Sequence, residues 1–207
     1  TGIASPAEIW TNTGAKPGNL LVLTKPLGVG IITSALRKHK DKNGEISPHS
    51  PVLPEVEQKA VEVMMKLNKN AAAAGRKVGL QSCTDITGFG LLGHAWEMAK
   101  GSGVRVEIKL SDVPVIEGAR ELGEQGYIAG GNWGNLAYMQ DKTEYYSGME
   151  EIDKHLLVDP ITSGGLLMAV EESKAQELLI ALRQLGVAEA AVIGRIVAGD
   201  PKIKVVP

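Results

Sequence analysis

Val104, Val106, Ile108 and Leu110 alternate with Arg105, Glu107 and Lys109, and this period of two is satisfied along its length only by a strand with one face buried and one face wet. A half-wet strand belongs to a sheet that is covered on one side there. The rest of the chain must then supply helices for the covered face. From Glu55 the apolar positions Val56, Ala60, Val63, Met64, Leu67, Ala71 and Ala74 recur at steps of three and four with charges between them, which predicts one amphipathic helix.

Other segments follow by the same reasoning. Leu20–Thr24 reads as a strand, broken by Lys25-Pro26-Leu27-Gly28 and followed by a helix over Val29–Arg37. His39–Pro54 reads as a polar loop. A second amphipathic helix is predicted over Gly88–Lys100, stopped by Gly101, and a short one over Val115–Leu122, with a glycine-rich loop over Gly123–Gly134. Leu166–Val170 reads as a buried strand and Glu171–Leu185 as a helix, with strands over Ala190–Val197 and Ile203–Val206 joined at the Gly199-Asp200-Pro201 turn. Strands and helices are mixed without strict alternation, so the expected class is α+β. Residues 1–18 are rich in turn-forming types and read as a connection into the first strand, and residues 19–207 as the folded domain.

Composition narrows the function. A formal charge of −2 provides no field for nucleic acid phosphates, so DNA or RNA binding is not expected. No apolar run reaches bilayer length, and no export signal is visible, so a cytoplasmic protein without membrane contact is expected. One cysteine, Cys83, excludes an intrachain disulfide and a multi-cysteine zinc site; it reads as a small buried hydrophobe. The four histidines, His39, His49, His94 and His155, show no metal-ligand spacing, and His94 reads as a packed or capping residue. Trp10, Trp96 and Trp133 are scattered, which suits anchoring rather than base stacking.

Three segments could carry chemistry. In Thr84-Asp85-Ile86-Thr87-Gly88-Phe89-Gly90-Leu91-Leu92-Gly93-His94, a carboxylate and two hydroxyls precede a helix whose first turn holds glycines. Unpaired N–H groups there attract anions, and Asp85 is a hard oxygen donor suited to a magnesium ion on nucleotide phosphates. Asp85 and Thr87 are equally good helix caps. Asp159-Pro160-Ile161-Thr162-Ser163-Gly164-Gly165 and Gly130-Gly131-Asn132-Trp133-Gly134-Asn135 can present backbone amides to an anion or simply turn the chain. Neither matches the phosphate loop or the dinucleotide fingerprint.

Taken with Leu23-Thr24-Lys25-Pro26-Leu27-Gly28, these segments in this order resemble the C-terminal half of the selenophosphate synthetases, which belong to the aminoimidazole-ribonucleotide-synthetase-like superfamily. The likeness runs nearly end to end. It departs at Asn132, where the family usually has threonine, and at Ile161, where it has glutamine. The resemblance implies an α+β C-terminal domain with a layered mixed sheet and packed helices, preceded in the parent by an N-terminal ATP-binding domain through which the parent pairs as a homodimer. It implies ATP and selenide as substrates, converted with water to selenophosphate, AMP and phosphate, and Mg²⁺ on the nucleotide. By similarity the reactive cysteine or selenocysteine, its lysine and the glycine-rich nucleotide loop lie in the N-terminal domain, so no catalytic residue is expected here, and Cys83 is in the wrong place to be that nucleophile. One metal ligand maps onto this chain, Asp85. Thr1-Gly2-Ile3-Ala4 reads as a cut within a longer polypeptide, and the fragment alone is expected to be inactive. The alternatives are another superfamily member, a thiamine-monophosphate kinase or a hydrogenase-maturation protein, and a binding module without chemistry.

Overall fold

A computed structural model describes residue 5 and residues 9–207; residues 1–4 and 6–8 of the expected connection lie outside the described residues. The strands are β1 (Asn19–Leu23), β2 (Ser82–Asp85), β3 (Arg105–Lys109), β4 (Thr143–Glu144), β5 (Leu166–Glu171), β6 (Ala191–Val197) and β7 (Lys202–Val206). The helices are α1 (Val29–Lys38), α2 (Pro54–Met65), α3 (Lys69–Lys77), α4 (Gly90–Ser102), α5 (Ala119–Glu124), α6 (Gly130–Met139), α7 (Glu151–Leu157) and α8 (Glu172–Gln184). The strands form one mixed seven-stranded sheet in the order β2-β5-β1-β6-β3-β7-β4. β3 pairs with β7 and β7 with β4 in parallel, and the other neighbours are antiparallel. The expected α+β class and layered mixed sheet are what the structure has.

Side-chain alternation divides the apolar residues between two layers. Leu21, Leu23, Leu167 and Ala169 point into a large core with α1, α2, α4, α5, α6 and α7, while Val22, Met168 and Val170 point the other way, into a smaller core under α3 and α8. The second layer stops short of β3. Val106 and Ile108 enter the large core, and on the opposite face Glu107 meets the Arg195 guanidinium at 2.7 Å. That open face is why β3 alternates so strictly.

Several elements differ from the sequence expectations. The predicted single helix from Glu55 is two helices, interrupted where Lys66 takes an extended conformation, φ −66° and ψ 116°. Ala60 and Val63 belong to the large core and Ala71 and Ala74 to the small one, so the chain crosses from one side of the sheet to the other at Lys66–Asn68. A continuous apolar stripe was serving two different faces. The loop expected over Gly123–Gly134 instead closes α5 and opens α6, whose first turn lies against Pro160 and needs no large apolar side chains. The helix expected from Val115 starts at Ala119, after Gly118 turns the chain at φ 83°. Helix α4 ends at Gly103, φ 66°, and not at Gly101, which sits inside the helix where a Cβ would meet Thr13 at 2.5 Å.

Candidate functional site

The three chemistry-bearing segments converge at one end of the sheet. β1 and β2 run toward that end, and β5 starts from it, with Asp85 opposite Leu166 and Leu23 opposite Leu167. Their extensions knit together through backbone hydrogen bonds. Thr24 N–H donates to Leu166 O (3.1 Å), Ile86 N–H to Gly165 O (3.0 Å) and Gly88 N–H to Ile161 O (3.1 Å). Hydroxyls complete the weave, because the Thr24 Oγ1 accepts from Leu166 N–H at 2.7 Å and the Thr87 Oγ1 from Gly164 N–H at 3.1 Å.

Glycines permit this closeness. Gly90 adopts φ 70°, and a Cβ there would stand 2.5 Å from the carbonyl carbon of Val158; at Gly164 it would stand 2.6 Å from Ile86 O. Gly90 and Gly164 are therefore packing residues between the two motifs. Asn135, from α6, donates to both Gly88 O and Val158 O at 3.0 Å, fastening the third segment to the first two. His94 is packed, as expected, with its Nε2 donating to Thr87 O at 2.8 Å. Neither Asp85 nor Thr87 caps α4: Phe89 is the residue before the first turn and no side chain bonds the free N–H groups there. The capping alternative for these two residues falls.

Asp85 is exposed at the end of β2. It lines an open cleft of ≈ 850 Å³ together with Trp10, Asn68, Lys69, Arg76 and Thr84. The Arg76 guanidinium lies 5.7 Å from the Trp10 ring centroid, a cation–π distance that fixes one wall. Asn68, from the crossing between α2 and α3, donates to Gly164 O at 2.9 Å and leaves its own buried Oδ1 without a partner. A hard cation finds suitable chemistry here, a carboxylate and the Thr84 hydroxyl. Among the described residues, however, no three histidine, cysteine, aspartate or glutamate side chains gather as a metal cluster. Asp85 is the one carboxylate in the lining of this cleft, and an octahedral magnesium ion held by a single carboxylate has five further positions for water and phosphate.

The other singled-out residues sit inside. Cys83 is buried, and burial, with the Asp85 carboxylate nearby, pushes its thiol up to about 12, so it is not a nucleophile. Asn132 is fully buried and exchanges hydrogen bonds with His155, donating to its carbonyl at 2.9 Å and accepting from Nδ1 at 2.6 Å. Burial lowers the His155 pKa. Ile161 is buried as well. Asp159 lies against the start of α1, its Oδ2 accepting from Gly30 N–H at 2.7 Å while Oδ1 is buried without a partner. Sequence reasoning left the Asp159 segment between anion binding and a simple turn. Its role as an internal acceptor depends on Gly30, where a Cβ would stand 2.3 Å from Oδ1, a signal visible only once α1 and Asp159 are neighbours.

The family described as AIR synthase related protein, C-terminal domain, matches residues 16–206. A selenide, water dikinase from Caldanaerobacter subterraneus subsp. tengcongensis is 45% identical over 196 residues, 95% of this chain and 54% of that protein. The chain therefore spans about half the length of the relatives it matches. The fold is shared with thiamine-monophosphate kinase from Stenotrophomonas maltophilia (TM-score 0.63, 15% identity, 95% of this chain and 52% of that one). It is shared too with HypE, a hydrogenase maturation protein from E. coli (TM-score 0.60, 20% identity, 96% and 49%).

Proposed function

The chain belongs to the AIR synthase related family, as its C-terminal domain, and on that premise we propose that it is the C-terminal part of a selenide, water dikinase. The reaction of the whole protein is then ATP, selenide and water to selenophosphate, AMP and phosphate. Support comes from the gap in identity: 45% to a protein of that name, against 15% and 20% to the kinase and the maturation protein that share the fold. The observation that carries the site is the exposure of Asp85, on a loop cluster built from all three chemistry-bearing segments. A carboxylate destined for a nucleotide-bound cation has to reach the surface, and this one does.

In this reading the preceding domain, joined through residues 1–18 to the domain over residues 19–207, supplies the nucleotide loop, the reactive cysteine or selenocysteine with its lysine, further carboxylates and the homodimer contact. Asp85 contributes one ligand to Mg²⁺, which when bound neutralises charge on the phosphates. The weave around Thr87 and Gly164 holds the end of β2 in place, so that the carboxylate is positioned before the ion arrives. No helix among the described residues is long and apolar enough to cross a bilayer, and a cytoplasmic location is part of this reading.

The test is AMP formation from ATP and selenide. In the full-length parent, Asp85→Asn should lower turnover by at least about 100-fold, since outer-shell partners of a metal already cost about 10–100-fold. Because Asp85 is exposed and its pairing with Leu166 is made by backbone, which asparagine keeps, stability should change by less than about 0.5 kcal/mol. The isolated 207-residue chain should form no AMP; appreciable turnover by it, or full activity of the parent variant, would overturn the reading.

A further inference from the structure

Lys25, in the Leu23–Gly28 segment, has no part in the reaction as proposed, yet its environment is unusual. The residue is 3% exposed, and no carboxylate among the described residues pairs with it. Its ammonium, which has three N–H donors, makes one hydrogen bond, 2.8 Å to Ser163 O. A buried cation without a counter-charge is costly, and an apolar side chain of similar length would avoid that cost. Burial and the neighbouring Lys66 both lower the Lys25 pKa.

The surroundings hold Lys25 in place. Ser163 is the one described non-glycine residue with positive φ, 56°, and that conformation belongs to the residue whose carbonyl receives the lysine. Gly165 closes on Lys25 so tightly that a Cβ would stand 2.7 Å from its backbone nitrogen. Beside the lysine is a cavity of ≈ 80 Å³ whose charged lining is Lys25, Lys59, Lys66, Glu62 and Glu189. Both carboxylates are already engaged. Glu189 is bridged by Lys59 at 2.7 Å and Lys66 at 3.0 Å, and Glu62 accepts from Gln58 at 2.9 Å. Three ammonium groups against two carboxylates leave the cavity one positive charge in surplus, and Lys25 is the lysine of the three without a carboxylate partner. A space this small admits an inorganic anion and excludes a nucleotide, which needs several hundred Å³.

We propose that Lys25, with Lys66 beside it, binds a small tetrahedral oxyanion, orthophosphate in its simplest form, in the cavity these two lysines line with Lys59. The turn that receives the lysine also pairs with the Asp85 segment, through Ile86 N–H to Gly165 O, so Lys25 connects the anion's cavity to the loop cluster that carries Asp85. Its place in turnover rests on the dikinase reading, in which orthophosphate is a product; the binding itself does not.

Inorganic phosphate is titrated into the 207-residue chain at constant ionic strength, with chloride as the control, following amide shifts and the Lys25 13Cε resonance. Saturable shifts confined to Lys25, Lys66 and the other residues that line the cavity, with Ser163 through its bond to Lys25, are expected, at least tenfold weaker in Lys25→Met and retained in Lys16→Gln. Phosphate should also raise the Lys25 pKa in the unmutated chain, which decides the matter if Lys25→Met does not fold. Identical titrations in phosphate and chloride, or an unaltered Lys25 resonance, would reduce the lysine to a tether for Ser163 and overturn the site. A parent inactive with selenide whose chain still binds phosphate would refute the dikinase reading and leave this one standing.

Discussion

Asp159 should make the stability of this domain fall as pH rises from about 4 to about 7. The carboxyl is fully buried, and burial outweighs the hydrogen bond it accepts from Gly30 N–H and the pull of the other polar groups around it, so its pKa is pushed up to about 7 from an ordinary 3.8. The folded state therefore holds this proton more tightly than the unfolded chain. Its contribution is complete below about pH 4 and is lost as pH climbs through the folded value, at about 1.4 kcal/mol per pH unit. Three units give an upper limit of about 4 kcal/mol, and relaxation around the charged form brings the expectation to about 2–4 kcal/mol.

His155 works in the opposite direction. Burial lowers its pKa, so the fold favours its neutral form and gains stability as pH rises toward the unfolded value of 6.5. The wild-type profile alone is thus a composite, and Asp159→Asn isolates the carboxyl. Asparagine keeps an acceptor for Gly30 N–H and cannot ionise. Urea unfolding, followed by tryptophan fluorescence at several pH values, gives the stability of each protein. The variant minus wild-type difference should grow by about 2–4 kcal/mol between about pH 4.5 and 7.5. A difference that stays flat within about 0.5 kcal/mol would refute the reasoning, whatever its absolute value.

Gly90→Ala should cost about 3 kcal/mol or more, because a Cβ would stand 2.5 Å from backbone carbon of Val158 at φ 70°, and backbone cannot step aside as a side chain can; a shift in urea midpoint worth under about 1 kcal/mol would contradict this. Cys83 should resist a thiol reagent in the native protein near pH 8 and react fully in denaturant, since its thiol is buried and pushed up to about 12; rapid native labelling would show that β2 opens readily.

Much of the fold was legible because local rules agreed with the tertiary result. β3 alternates because one of its faces is open, and β1, α1, α8, β6 and β7 fall within a residue or two of where their patterns place them, α1 and α8 each being a single amphipathic stretch bounded by turn residues. Elements that depend on distant partners were missed. β2 is four residues whose strand character comes from pairing with β5, and α6 carries two glycines in its first turn, where Pro160 does the packing. α7 is seven residues between turns. The candidate site was half legible: Asp85 and its segment stood out, whereas Lys25 and Asn68 gain meaning only beside Ser163 and Gly164.

Residue types and their periodicities alone determined the α+β class, the strands with one wet face, and an acidic side chain followed by glycines that could serve a cation. Only the tertiary structure decided that the helix from Glu55 breaks to cover both faces of the sheet, that Asp85 ends at the surface while Asp159 is sealed inside, and that Lys25 is buried without a counter-charge. Periodicity is a property of neighbours along the chain, but burial and charge pairing belong to neighbours in space, and those exist only once the sheet has brought its ends together.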